Sequence, residues 1–145
     1  MIGLLQRVSS ARVMVAGEEV GAIGRGLLVL VGVEANDAQA QADRLLERLL
    51  GYRVFPDADG KMNLSLRDVG GGLLLVPQFT LAADTNKGMR ASFSVAAPLE
   101  LGRELFEYLV TQAHARYGDV ACGRFGAEMS VTLTNEGPVT FWLES

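Results

Sequence analysis

Gly26-Leu27-Leu28-Val29-Leu30-Val31-Gly32-Val33 is apolar at every position a strand would show to either face. A half-exposed strand alternates apolar and polar residues, so this run predicts a central strand covered on both sides. The next stretch supplies one cover. Asn36-Asp37 offers side chains that can cap a helix, and Ala38, Ala40, Ala42, Leu45, Leu46, Glu47, Leu49 and Leu50 are strong helix formers. Ala42, Leu45, Leu46, Leu49 and Leu50 fall at three-and-four spacing, which makes one buried stripe. Leu73-Leu74-Leu75-Val76 reads as a second core strand, interrupted or at an edge where Pro77 removes a ladder donor. A second helix is expected from Pro98 to about Tyr117, closed by Gly118, with Leu101, Leu105, Tyr108, Leu109, Gln112 and Ala113 facing inward.

Shorter strands are expected around this centre, at Leu4 to Val8, Ala11 to Ala16, Val20 to Gly24, Val120 to Phe125, Met129 to Thr134 and Val139 to Leu143. Asn135-Glu136-Gly137-Pro138 has turn chemistry and joins the last two. Pro56 to Gly60 and the polar stretch Ala82 to Phe93 read as loops, and Leu64 to Val69 is ambiguous. Two helices against many strands, not in strict alternation, predict one α/β domain over residues 1–145 with a mixed, curled, barrel-like sheet.

The chain has 145 residues, 49% of them hydrophobic and 21% charged, enough apolar surface for one folded core. No apolar run approaches the ~20 residues of a membrane span. The N-terminal residues lack the pattern of a secretory signal, and a cytoplasmic location is expected. The single cysteine, Cys122, has no intrachain partner. Thirteen Lys and Arg against 17 Asp and Glu give net charge -4. Broad neutralisation of nucleic-acid phosphates needs the opposite balance, though a pocket for one end of an RNA does not.

Ordinary catalytic sets are missing. His114, the one histidine, lies inside the second helix with no serine or cysteine beside it. One His and one Cys do not make a zinc site, and no glycine-rich phosphate loop is present. Asp57/Asp59 and Glu18/Glu19 sit in turns, where solvation accounts for them. Cys122 reads as a small buried hydrophobe. No metal or cofactor is expected. An enzyme built this way must use backbone amides, a hydroxyl and groups on its substrate.

Two segments stand out, Pro77-Gln78-Phe79-Thr80-Leu81 and Asn135-Glu136-Gly137-Pro138-Val139-Thr140. Taken with Lys87-Gly88-Met89-Arg90 and Gly123-Arg124-Phe125-Gly126-Ala127-Glu128-Met129, the sequence closely resembles the D-aminoacyl-tRNA deacylase family. The resemblance runs from Leu5-Gln6-Arg7-Val8 to Phe141-Trp142-Leu143-Glu144-Ser145. Pro77 stands where the family usually has Ser, and Ala91 where it often has Pro. The resemblance implies that family's fold and a homodimeric cytoplasmic hydrolase. Its substrate would be the acceptor end of tRNA carrying a D-amino acid or glycine, including glycine mischarged on tRNA(Ala). It spares L-aminoacyl-tRNA. Membrane and DNA partners are not expected. The resemblance also implies a cis Gly137-Pro138 bond inserted into the pocket of the other subunit.

A cis Gly-Pro unit can aim two carbonyl oxygens at an α-ammonium. With ammonium and ester fixed, backbone atoms that fill the direction of an L side chain exclude it. A thousandfold preference needs only about 4 kcal/mol. Glycine offers nothing to reject. Amides around Phe79 and Thr80 suit the developing oxyanion, and the substrate 2′-hydroxyl can position or activate water. Thr80 lacks a histidine to take its proton, so a positioning role is favoured over covalent attack. Gln78 suits ribose or base contacts. Phe79 and Phe125 either stack on adenine or pack in the core, and Met129 lines the pocket. Arg7 is expected either to bond carbonyls around Gly137-Pro138 or to sit exposed on an edge. Lys87 and Arg90 either touch acceptor-end phosphates or stay in a solvated loop. Two alternatives stand beside this reading: a hydrolase of small D-amino acid esters or peptides with a Thr80 nucleophile, and a non-catalytic RNA-end or partner-binding module.

Overall fold

The computed structural model describes residues 1–145. Its strands are β1 (Ile2–Val15), β2 (Glu18–Ile23), β3 (Gly26–Gly32), β4 (Phe55–Pro56), β5 (Met62–Leu64), β6 (Gly72–Pro77), β7 (Val120–Cys122) and β8 (Ser130–Glu144). Its helices are α1 (Gln39–Gly51), α2 (Leu66–Val69) and α3 (Leu99–Arg116), with a 3-10 turn over Phe79–Ala82. The main sheet runs β2-β1-β3-β6-β7, and β8 also pairs with β1. The β3–β6 and β6–β7 pairs are parallel, and the others are antiparallel.

Strand β3 is covered on both faces, as its two-sided apolarity predicts. Leu27, Val29 and Val31 join a core with α1 and α3, while Leu28 joins an inner cluster of Val8, Ala11, Val13, Ile23, Leu74 and Val76. That inner cluster exists because the sheet curls on itself. β1 pairs with β3 over Ile2–Val8 and with β2 over Ala11–Val15, so one edge changes partner midway. At the far side a Cβ at Gly21 would stand 2.7 Å from the Cys122 carbonyl oxygen, so β2 closes on β7 only because residue 21 is glycine. The curled sheet and two main helices agree with the expected fold class.

Several local expectations are corrected. Leu4–Val8 and Ala11–Ala16 are parts of one strand, β1. Met129–Thr134 and Val139–Leu143 likewise belong to one strand, β8, and the strand expected over Val120–Phe125 stops at Cys122. Asn135–Pro138 is therefore a bulge rather than a turn between strands. Gln6 pairs with Thr140 and Val8 with Asn135, so two steps along β1 face five along β8. Helix α1 begins at Gln39, after Asn36-Asp37, because the Asp37 carboxylate is engaged elsewhere: it accepts from the Met1 ammonium at 2.6 Å and from the Glu34 amide at 2.7 Å. The loop expected over Pro56–Gly60 is there, as the connection of a β4–β5 hairpin, with only Pro56 belonging to a strand. Leu64–Val69 contains α2, capped by Ser65. Strand β6 lies between β3 and β7, but β7 pairs only with Leu73–Leu75, so at Pro77 the strand has β3 on one side and an open edge on the other, as expected of a proline there. The buried stripe of α3 is Gly102, Leu105, Phe106, Leu109 and Ala113. No helix is long and apolar enough to cross a membrane.

Candidate active site

Beyond Pro77 the chain still clings to β3, since the Gln78 amide donates to the Val31 carbonyl at 2.8 Å. It then folds into the 3-10 turn, with the Leu81 amide donating to the Gln78 carbonyl at 3.2 Å. The turn packs on Gly32, where a Cβ would stand 3.0 Å from Leu81 Cβ. The amides of Phe79 and Thr80 open the turn and have no earlier turn to donate to. Gln78 Nε2 donates to Thr80 Oγ1, which fixes that hydroxyl at the rim. The Phe79 ring is 63% exposed and leans on Phe93, with centroids 5.2 Å apart.

Under this turn lies a cavity of about 310 Å³, at the small end of ligand sites. Gln78, Phe79, Phe93, Gly102, Phe106 and Phe125 are among its walls. A neighbouring hollow shares Gln78, Phe79 and Phe125 and adds Met129. Phe125 is held from two sides. The Arg103 guanidinium lies 5.1 Å over its ring, and Phe106 stands 6.2 Å away. Met129 Sδ accepts from the Arg124 amide at 3.4 Å.

The bulge in β8 is a second, separate construction. Arg7 Nε donates to the Glu136 carbonyl at 3.1 Å, and Arg7 Nη1 donates to the Val54 carbonyl at 2.6 Å. The Val139 amide donates to Asn135 Oδ1 at 3.0 Å, and Asn135 Nδ2 donates to Thr140 Oγ1 at 2.9 Å. Gly137 takes φ +126 and its bond to Pro138 is cis. Both residues are exposed, and neither lines the two hollows of its own chain. One chain thus brings together Gln78, Phe79, Thr80, Phe125 and Met129, and separately Arg7 with the bulge. Lys87 and Arg90 are exposed in a loop joined at its neck by Asp84 and Ser92, and they line neither hollow.

Residues the sequence reading missed form the far wall. Phe93, Ala96 and Ala97 are tied to the strand end by the Ala97 amide on the Val33 carbonyl at 3.0 Å and the Ala35 amide on the Val95 carbonyl at 3.1 Å. Gly102 sits in the buried stripe of α3, and its Cβ would meet Phe125 Cζ at 3.4 Å. A glycine inside a helix costs about 1 kcal/mol against alanine, and that anomaly was the available signal. His114 is exposed near the end of α3. Burial pushes the Cys122 thiol up, so it is protonated at neutral pH and a poor nucleophile. No three or more His, Cys, Asp or Glu residues gather as a metal site would need.

The family model described as D-Tyr-tRNA(Tyr) deacylase matches residues 4–144. A Pseudomonas putida protein named D-aminoacyl-tRNA deacylase is 70% identical over 144 residues, 99% of each chain. A Pseudomonas fluorescens protein of the same name is 66% identical over 145 residues, 100% of each. A solved structure named c-Myc DNA Unwinding Element Binding Protein superposes with TM-score 0.95 at 38% identity, covering 100% of this chain and 99% of the other. Another, described as a probable eukaryotic D-amino acid tRNA deacylase, gives TM-score 0.85 at 18% identity over 99% and 98%, a likeness of fold.

Proposed function

The chain belongs to the D-Tyr-tRNA(Tyr) deacylase family, and we propose that this hydrolase of D-aminoacyl-tRNA holds the ester at the hollows beneath Gln78 and Phe79. The working unit is a homodimer in the cytoplasm, and the Gly137-Pro138 bulge of one subunit completes the site of the other. One observation carries this reading. Each chain has a largely apolar hollow with little to receive an ammonium, and a bulge pinned by Arg7 on the Glu136 carbonyl, whose exposed Gly137 and Pro138 line neither hollow of their own chain. Strand β8 also pairs on one edge only, with β1, which leaves its other edge for a second copy.

The main-chain carbonyls of Gly137 and Pro138 accept the substrate α-ammonium. Backbone then fills the direction an L side chain needs, while D side chains point to open space. Glycyl-tRNA passes because it has no side chain. Water, positioned by the ribose 2′-hydroxyl, adds to the ester carbonyl, and the developing oxyanion meets the amides of Phe79 and Thr80. The acyl carbon–oxygen bond breaks, the free amino acid leaves, and the ribose oxygen takes a proton. Thr80 and Gln78 position the ribose and water, and Phe79 and Phe125 flank the adenine. Met129 lines the acyl side, and Lys87 and Arg90 approach acceptor-end phosphates.

Incubating the protein with D-tyrosyl-, L-tyrosyl- and glycyl-tRNA tests the reading directly. Release of D-tyrosine and glycine with L-tyrosyl-tRNA intact is expected, and failure to release D-tyrosine overturns it. A DNA-binding reading draws on the name of the 38% identical structure. The net charge of -4 speaks against it, and duplex DNA should not compete with the tRNA substrate.

A further inference from the structure

Two arginines flank Phe125, the wall both hollows share, and the reaction above uses neither. Arg124 is exposed, and none of the ion pairs in the structure includes it. Its backbone is fixed all the same. The amide donates to Met129 Sδ at 3.4 Å, the carbonyl accepts from the Ala127 amide at 3.3 Å, and Gly126 closes the turn at φ +76. Arg103 rises from α3, lies 5.1 Å over the Phe125 ring, and is 43% exposed. Its one ion pair is with Glu107, at a loose 4.0 Å.

We propose that Arg103 and Arg124 form a phosphate-binding pair that grips the phosphodiester next to the terminal nucleoside of the RNA. This rests on the reading of the hollows as the seat of the ester-bearing nucleoside. A base against Phe125 puts the adjoining phosphate one nucleotide away, outside the two hollows, and both arginines stand outside them: Arg103 over the Phe125 ring, and Arg124 on a further hollow that Phe125 and Glu107 also line. Arginine fits the task, because its planar fork matches phosphate oxygens and stacks on an aromatic face while doing so. The ring holds Arg103 near one orientation, so less freedom is lost on binding. Arg124 has no ion pair to break. The Arg103–Glu107 contact is exposed and of the weak kind. Glu107 is the carboxylate that opposes an anion here, and its removal should help.

The test measures binding of two non-hydrolysable ligands across a salt series. One is a tRNA carrying D-tyrosine through a 3′ amide, and the other is the matching D-tyrosyl-aminoadenosine without phosphate. For Arg103→Gln/Arg124→Gln, tRNA affinity at low salt should fall about tenfold. The slope of log affinity against log salt should shrink by about 0.7, the value for one single-strand phosphate no longer neutralised. Affinity for the phosphate-free nucleoside should be unchanged, and Glu107→Gln should tighten tRNA binding. An unchanged slope overturns the proposal. So does an equal loss on the nucleoside, which would mean that the arginines act only through the Phe125 ring. If the wild-type protein does not bind the nucleoside ligand, the reading of the hollows falls and this inference falls with it.

Discussion

The bulge at Asn135–Pro138 and the turn at Gln78–Thr80 are both short, exposed departures from a strand, yet they are built in opposite ways. Side chains fasten the bulge: Arg7 on the Glu136 carbonyl, Asn135 on the Val139 amide and on Thr140, and Gln6 on the same Thr140 hydroxyl. Main chain and packing hold the turn, through the Val31 carbonyl and the flat surface of Gly32. The bulge therefore has little freedom and offers acceptors. The turn keeps unpaired donors and an exposed ring. Discrimination by exclusion needs atoms that do not yield, whereas a developing oxyanion needs N–H groups that are not already occupied.

The largest effect should follow from disturbing the bulge at its tightest point. A Cβ at Gly137 would stand 2.9 Å from both Arg7 Nη2 and Val139 Cγ2, at a φ of +126 that side chains rarely adopt. Gly137→Ala should leave the chain folded and lower the D-over-L ratio of kcat/KM by about 100-fold, roughly 2.7 kcal/mol. Parallel deacylation of D- and L-tyrosyl-tRNA measures that ratio. An unchanged ratio would make the bulge mere structure, with no part in discrimination.

Arg7→Met comes next. It keeps the apolar stem and removes two hydrogen bonds, to Glu136 and Val54. Charge-assisted bonds are worth about 1.5–3 kcal/mol each. Part of that loss falls on folding, so selectivity should drop about tenfold with a lower thermal midpoint. Added guanidinium at low concentration should restore some selectivity. A drop in stability alone, with the ratio intact, would show that Arg7 braces Val54 and not the bulge. At the other region, Thr80→Ala removes the hydroxyl but leaves the amide, so turnover should stay within about tenfold. Near-complete loss, with a trapped acyl-enzyme in the wild type, would make Thr80 the nucleophile.

The same contrast explains what the sequence disclosed. Gly26–Val33 was readable because two-faced apolarity does not depend on which element supplies the cover. The α1 stripe was readable for the same reason. Its cap was misplaced because Asp37 is claimed by an ammonium 36 residues away in the chain. Asn135–Pro138 has turn composition, and only its register against Gln6 and Val8 makes it a bulge within one strand. Gln78–Thr80 stood out through the family resemblance. The wall at Phe93–Ala97 did not, because its pairing with Val33 and Ala35 is a product of the fold. Gly102 carried a local anomaly but gave no hint that the ring above it would be Phe125.

The smallest expected effect serves as the control for the rest. Asp68 accepts from the Ser65 amide at 2.7 Å and from its hydroxyl at 2.8 Å, at the start of α2. The backbone bond and then the hydroxyl bond hold its carboxyl below the usual carboxylate range. On acidification the unfolded chain takes up this proton before the folded one, so the carboxylate stabilises the fold above that range. The contribution fades as pH falls through the folded value. Asp68→Asn should therefore lower the denaturant midpoint slightly at neutral pH, with the two midpoints converging in acid. Asp68 touches neither the bulge nor the turn, so the D-over-L ratio should not move. A loss of selectivity in Asp68→Asn would mean that general loosening of the domain blurs the stereochemical filter. The losses at Gly137 and Arg7 would then say nothing particular about the bulge.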